Sequence, residues 1–208
     1  MDPRIVDGSL LVAAGVPLVR CAWGVVGFVR MFRNHRRARR SEWGWLQLAM
    51  APEGYVQATA ALLLAAGLAT SADSAPGAAW AICGAALSVA GLALSIWTFW
   101  SFPSIGTGHY VAEGQLVIRH GPYRWVRHPT YVAVLAIWFG LGVAYRDLAV
   151  LALAVLYSAL YGLYARSEER LMLSAFGEDY AAYQARVNGF VPQWPRLGGA
   201  REAPRASR

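Results

Sequence analysis

The chain has 208 residues, of which 57% are hydrophobic and only 15% charged. Soluble domains carry roughly a quarter charged residues, so this balance favours a membrane protein and argues against a nucleic-acid-binding module. The nineteen cations, all arginine, outnumber twelve acids, and the two cysteines, Cys21 and Cys83, lie in apolar runs, which excludes a disulfide framework and a zinc-ligand spacing.

Five apolar segments approach the roughly 17–25 residues needed to cross a bilayer: Ser9–Val29, Gly54–Thr70, Ala78–Trp100, Pro129–Tyr145 and Leu148–Ala165. Arg20 interrupts the first, so a cleaved signal peptide is not expected. Beside Pro17, that arginine is read as snorkelling or facing the bundle after a kink, although an ionisable group at such depth is a functional candidate. "RMFRNHRRARRSEW" follows as a basic inner loop. In the third segment Gly84, Ser88, Gly91 and Ser95 form a small-residue stripe suited to close helix packing. Residues 101–128 make a polar connector longer than ordinary helix–helix loops, and "YVAEGQLVI" within it predicts a short hairpin around Glu113-Gly114. Residues 166–192 read as two short helices broken at Gly177, and the tail 193–208 as disordered.

Arginine placement orients the chain. With the amino terminus outside, sixteen arginines fall on the inner side, only Arg4 and Arg146 outside, and Arg20 within a span. The expectation is an all-α integral membrane protein of about five spans. Residues 1–100 would form three spans and residues 101–192 a functional core with a cytoplasmic pocket built from the connector and the carboxyl-terminal helices. A bacterial inner membrane is the expected location.

Side chains able to do chemistry concentrate in residues 109–131 and 166–186. The first group holds His109, Arg119, His120, Tyr123, Arg124, Arg127, His128 and Tyr131; the second holds Glu168, Glu169, Tyr180, Tyr183 and Arg186. Pro129 suits the first turn of a helix, so the helix start at His128, flanked by Arg127, would offer amides and positive charge to a carboxylate. The competing reading is that these arginines merely hold topology.

"GPYRWVRHPTY", followed about forty residues later by "EERLMLSAFGEDYAAYQARV", resembles the isoprenylcysteine carboxyl methyltransferase family and its phospholipid-methyltransferase-like relatives. The resemblance runs from about Val111 to Pro192. It implies S-adenosylmethionine as cofactor and a lipophilic acceptor entering from the bilayer. Cofactor contacts would fall on Gln115, Leu116, Val117 and Ile118, on Tyr123 with Trp125 as an alternative adenine platform, on His128, Pro129, Thr130 and Tyr131, and on Glu168. Arg127, Arg166 and Glu169 would serve the chemistry, Glu169 or His120 acting as base where the acceptor needs one. Where eukaryotic prenylcysteine enzymes carry an arginine for the substrate carboxylate, four residues before the first glutamate, this chain has Tyr164, with Arg166 the nearest cation. Ala133 and Asn188 replace a glycine and a proline often found in the family.

Rival readings are a lipid-phenol O-methyltransferase, a phospholipid N-methyltransferase, an NADPH-dependent sterol-type reductase and a small transporter or scaffold. A transporter would show paired charges and broken helices at mid-membrane, where the sequence places Arg20 alone. No metal or nucleic-acid partner is expected.

Overall fold

The computed structural model describes residues 3–35, 38–41, 50, 52–67, 77–102, 110–112 and 114–192. His109, Glu113, the end of the second apolar run and the tail 193–208 lie outside the described residues. The elements are α1 (Pro3–His35), β1 (Ala38–Ser41), α2 (Glu53–Ala65), α3 (Ala78–Ser101), β2 (Tyr110–Ala112), a 3-10 turn (Gly121–Arg124), α4 (Pro129–Tyr145), α5 (Leu148–Phe176) and α6 (Glu178–Gln184). This is a helical membrane architecture with one small strand pair.

Among the described residues, three helices are long and apolar enough to cross a bilayer: the Pro3–Gly24 part of α1, α3 and α5. Helix α4 is a shorter apolar helix of 17 residues, about 26 Å at 1.5 Å per residue. The second apolar run differs from expectation. Its helix, α2, has 13 residues, about 20 Å against a hydrocarbon core of about 30 Å, and it ends at a turn where Gly67 has φ 69°. Alone it is too short to cross.

Helix α4 is the centre of the bundle: Ile137, Trp138 and Leu141 are fully buried. Between helices in lipid there is little hydrophobic drive, so close backbone approach must hold them together. The expected small-residue stripe provides it. A Cβ on Gly84 would sit 2.5 Å from the Gly140 carbonyl oxygen, and one on Gly91 would sit 2.6 Å from that of Ala133. On its other side α4 returns into α5 through a tight corner. Arg146 takes the left-handed conformation and Asp147 caps α5 by accepting from the Val150 amide at 2.9 Å.

Two expectations about the polar segments change. The hairpin around Gly114 does not form among the described residues. Strand β2 instead pairs antiparallel with β1 of the basic loop, Arg40 opposite Val111 and Ser41 opposite Tyr110. Gln115–Arg119 has no regular structure. The pattern of alternation was correct for a strand, but its partner lies some seventy residues upstream. Second, residues 166–176 are not a separate helix. Helix α5 runs 29 residues without interruption, about 43 Å against a hydrocarbon core of about 30 Å, so it is longer than a crossing requires. It stops at Gly177, whose φ of 54° L side chains rarely adopt. Glu168 and Glu169 therefore ride on the rigid extension of a spanning helix.

Candidate active site

The connector and the extension of α5 meet at the end of the bundle that also carries β1 and β2. Helix α4 begins there because Pro129 occupies its first turn. The same end of the molecule brings Arg127 and His128 against Glu168 and Glu169. Glu169 Oε1 accepts from Arg127 Nε at 2.8 Å and lies 2.8 Å from His128 Nε2; its Oε2 accepts from Gln184 Nε2 at 2.9 Å. Glu168 Oε2 accepts from the Tyr131 hydroxyl at 2.6 Å and lies 3.4 Å from His128 Nδ1. The two glutamates thus hold the two nitrogens of one imidazole.

Burial alone would lower the His128 pKa, but hydrogen bonds to Glu168 and Glu169 outweigh it and raise the value to about 9. Burial would raise that of Glu169, and the bonds from His128 and Arg127 lower it to about 2. At neutral pH the pair is therefore imidazolium and carboxylate. Arg127 and His128 facing the two glutamates make the cluster charge-balanced.

The helix start is not the open anion site expected from sequence. The Arg127 and His128 amides donate to the carbonyls of Asn188 (2.8 Å) and Gly189 (3.0 Å). The Arg127 guanidinium donates to Glu169 and to the carbonyls of Gln184 and Val187. The carboxyl-terminal segment thus folds back over the start of α4 and takes up its donors. Tyr183 clamps the turn from the same side, donating to the Tyr123 carbonyl at 2.6 Å; burial pushes its hydroxyl up to about 12, so it remains a neutral donor.

A cavity of about 50 Å³ opens beside this cluster. Of the sequence-predicted cofactor residues, Gln115, Leu116, Val117, Ile118, Tyr123, His128 and Glu168 line it, as does Arg127. Pro129 is buried and does not line the cavity, Thr130 is exposed and bonds the Tyr123 hydroxyl, and Tyr131 supports Glu168 from outside the lining. Burial raises the Tyr123 pKa, and the Glu168 charge adds to it, so the phenol stays neutral. Glu169, Arg166, His120 and Trp125 do not line the cavity. Arg166 and His120 are exposed, and Trp125, 38% exposed, lies beside the Arg124 guanidinium, whose carbon is 4.8 Å from its ring centroid. Glu169 has both oxygens engaged, which removes it as a free base.

Sequence reasoning missed Phe102, Met172 and Phe176 among the lining residues. Met172 and Phe176 follow Glu168 at steps of four, one face of a helix. That signal becomes usable only once 166–176 is seen as a continuous helix. Phe102, just past α3, meets Tyr123 edge to face at 5.7 Å, and nothing in the sequence marks it.

A second polar cluster lies within the bundle. Arg20 Nη2 donates to Glu53 Oε2 at 2.8 Å and Nη1 to Gln57 Oε1 at 2.9 Å. Trp138 Nε1 donates to Glu53 Oε1 at 2.7 Å. Arg20 faces the bundle as expected, but not alone: Glu53 is the acid that the sequence reading left just outside the second span. Glu53 and Gln57, four apart on α2, share a face. This paired charge does not make a transporter site, because Glu53 and Gln57 are closed off at 3% and 0% exposure, and α1 and α2 run unbroken beside it.

The description "phospholipid methyltransferase" matches residues 79–179 as a family. The cobalt-zinc-cadmium resistance protein CzcN of Cupriavidus metallidurans is 40% identical over 82 residues, 39% of this chain and 38% of that protein. Protein-S-isoprenylcysteine O-methyltransferase of Tribolium castaneum is 29% identical over 86 residues, 39% of this chain and 29% of that protein. The chain thus spans less than two fifths of either relative. Residues 79–179 carry the signature of the phospholipid methyltransferase family, and the likeness extends to isoprenylcysteine O-methyltransferase.

Proposed function

We propose that the protein is an S-adenosylmethionine-dependent membrane methyltransferase acting on an oxygen nucleophile, most simply a carboxylate, of a lipophilic acceptor. The observation that carries this reading is the single cavity shared by the unladdered Gln115–Ile118 segment and by His128 and Glu168 of the charge-balanced cluster. S-adenosylmethionine supplies an electrophilic methyl group on a cationic sulfur. The lining suits it. Glu168 is a carboxylate for the ammonium group, and Leu116, Val117, Met172 and Phe176 with the Tyr123 ring provide a flat apolar slot. With Arg127 committed to the fold, the cofactor carboxylate is left to the main-chain amides of Leu116–Ile118, which have no helix or strand ladder among the described residues. Ligand pockets are roughly 300–1,000 Å³, so seating requires the lining side chains, foremost Leu116 at 76% exposure, to move aside.

The same geometry bears on the acceptor. Glu169 is saturated, His128 is protonated at neutral pH, and Glu168 is assigned to the cofactor. No base is left facing the cavity, which suits an acceptor already ionised, as a carboxylate is at pH 7. An acceptor oxygen bonds to the methyl carbon as the sulfur–carbon bond breaks, and the sulfur leaves as a neutral thioether. Holding the partners in line can supply about 7–11 kcal/mol of the barrier. The inner-side arginines support a cytoplasmic position for this end of the bundle, and the reading takes the membrane as a bacterial plasma membrane, with the acceptor entering from the lipid.

The test is S-adenosylmethionine binding by the full-length protein in detergent, followed by labelled methyl transfer into a bacterial lipid extract. We expect micromolar binding, its loss in Glu168→Ala with expression unchanged, and a base-labile methyl ester. A base-stable amine product would instead select phospholipid N-methylation, the reading that the family match favours. Binding of NADPH without S-adenosylmethionine would overturn the assignment.

A further inference from the structure

The intramembrane cluster joins Arg20, Glu53 and Gln57, on α1 and α2 outside the family match, to Trp138 and Tyr161, on α4 and α5 within it. Its acid, Glu53, is almost completely enclosed at 3% exposure. Besides Arg20 and Trp138, it is hydrogen-bonded by the Tyr161 hydroxyl of α5. Tyr161 then stacks on Tyr131, ring centroids 4.7 Å apart and planes 25° apart. Tyr131 stacks in turn on His128 at 5.2 Å and 6°, and its hydroxyl donates to Glu168 at 2.6 Å. The residues Tyr157, Tyr161, Tyr164 and Glu168 recur at steps of four, three and four along one face of α5, so the column follows a single helix stripe.

We infer that Glu53 and Tyr161 are positioning residues for the cofactor site, acting through the Tyr131 ring to fix the Glu168 carboxylate. This rests on the methyltransferase reading above and deepens it. The physical ground is that Tyr131 joins the two clusters. Its hydroxyl goes to Glu168, and its ring is located by stacking on His128 and Tyr161, by the edge of Tyr164 at 5.7 Å and by Phe190 at 6.4 Å. Of these neighbours, His128 belongs to the site itself, and Tyr161 is the one that links the ring to Glu53. Tyr161 in turn is located by a hydroxyl whose partner, Glu53, is fixed by a guanidinium and an indole from two further helices. Stacked aromatic pairs contribute directional preference beyond area burial, and in a low-dielectric interior the acceptor of a buried hydroxyl is costly to lose. The first two helices, with no part in the family match, thereby set the geometry of a carboxylate at the membrane surface.

The experiment separates positioning from simple charge pairing. Arg20→Met combined with Glu53→Gln removes both charges but keeps an acceptor for Tyr161. Arg20→Met combined with Glu53→Leu removes the acceptor as well, and neither strands a charge. Tyr161→Phe removes only the hydroxyl and keeps the ring, so folding is retained. S-adenosylmethionine binding is measured on the full chain in lipid nanodiscs, with the wild type and Glu168→Ala as references. The expected result is near-wild-type affinity for the Gln pair and a loss of about tenfold for both the Leu pair and Tyr161→Phe, the equivalent of one buried hydrogen bond. Equal affinity in the two pairs, or unchanged affinity in Tyr161→Phe, overturns the inference while leaving the methyltransferase reading intact. Absence of binding by the wild type sinks that reading, and this one with it.

Discussion

Two largely buried guanidinium–carboxylate pairs among the described residues, Arg127–Glu169 at the end of the bundle and Arg20–Glu53 inside it, are built differently. Arg127 divides its donors: Nε and Nη2 face Glu169 at 2.8 and 2.7 Å, while Nη1 donates to the Gln184 and Val187 carbonyls of the returning carboxyl-terminal segment. Arg20 is met by side chains alone, from α2. The first pair closes a loop onto a helix start. The second fastens four helices together where no water can substitute for a missing partner. The same chemistry thus serves as a clamp for a returning segment in one place and as a fixed reference point in the other.

The largest effect should come from breaking the inner pair on one side. Glu53→Leu leaves Arg20, largely buried at 19% exposure, charged and without its carboxylate, and loss of one partner of a buried pair typically costs about 3–5 kcal/mol. Thermal unfolding in detergent should show that loss, and adding Arg20→Met should restore most of it. Persistence of the full loss in the double variant would mean that packing, not charge, dominates at this position.

A smaller effect should distinguish the outer cluster by pH. The folded His128 value, about 9, is raised above the usual 6.5. Its contribution is complete below about 6.5 and disappears as pH rises through 9, a change on the order of 3 kcal/mol. The Glu169 value, lowered to about 2, contributes above about 4.5 and is lost as pH falls toward 2. Stability should therefore plateau between about pH 4.5 and 6.5 and decline on both sides. The alkaline decline should vanish in His128→Asn. An alkaline limb unchanged by that substitution would reassign it to another group.

The smallest expected effect is at Arg119, which bonds the Asp179 side chain and its carbonyl but is 45% exposed against 61% for its partner. Exposed pairs are worth about 0–1 kcal/mol. Arg119→Ala should therefore change the thermal midpoint by a degree or two, and a loss comparable to that of Glu53→Leu would show that the exposed pair carries as much stability as the buried one.

Much of the outer cluster was legible because its parts announce themselves locally: a proline pair among cations, an acid pair just past an apolar run, and a motif separation shared with a family. Assigning roles within it was not. Glu169 looked like a base and Arg127 like an anion receptor until the carboxyl-terminal segment was seen lying across them. Trp125 looked as good an aromatic platform as Tyr123, and their difference in direction depends on a 3-10 turn. The strand Tyr110–Ala112 was recognisable from its alternation, whereas its partner was not, because pairing is decided by which loops share one end of the bundle.

By itself the sequence determined the membrane class, the helical architecture, the small-residue seam between α3 and α4, and the two segments that meet at one end of the bundle. These are consequences of local composition and periodicity, to which each residue contributes independently. Only the tertiary structure decided that Arg20 has Glu53 beside it, that the start of α4 is covered, and that Glu168 faces the cavity while Glu169 faces the fold. Adjacent residues on a helix diverge by about 100°, and what each one meets depends on helices from distant parts of the chain.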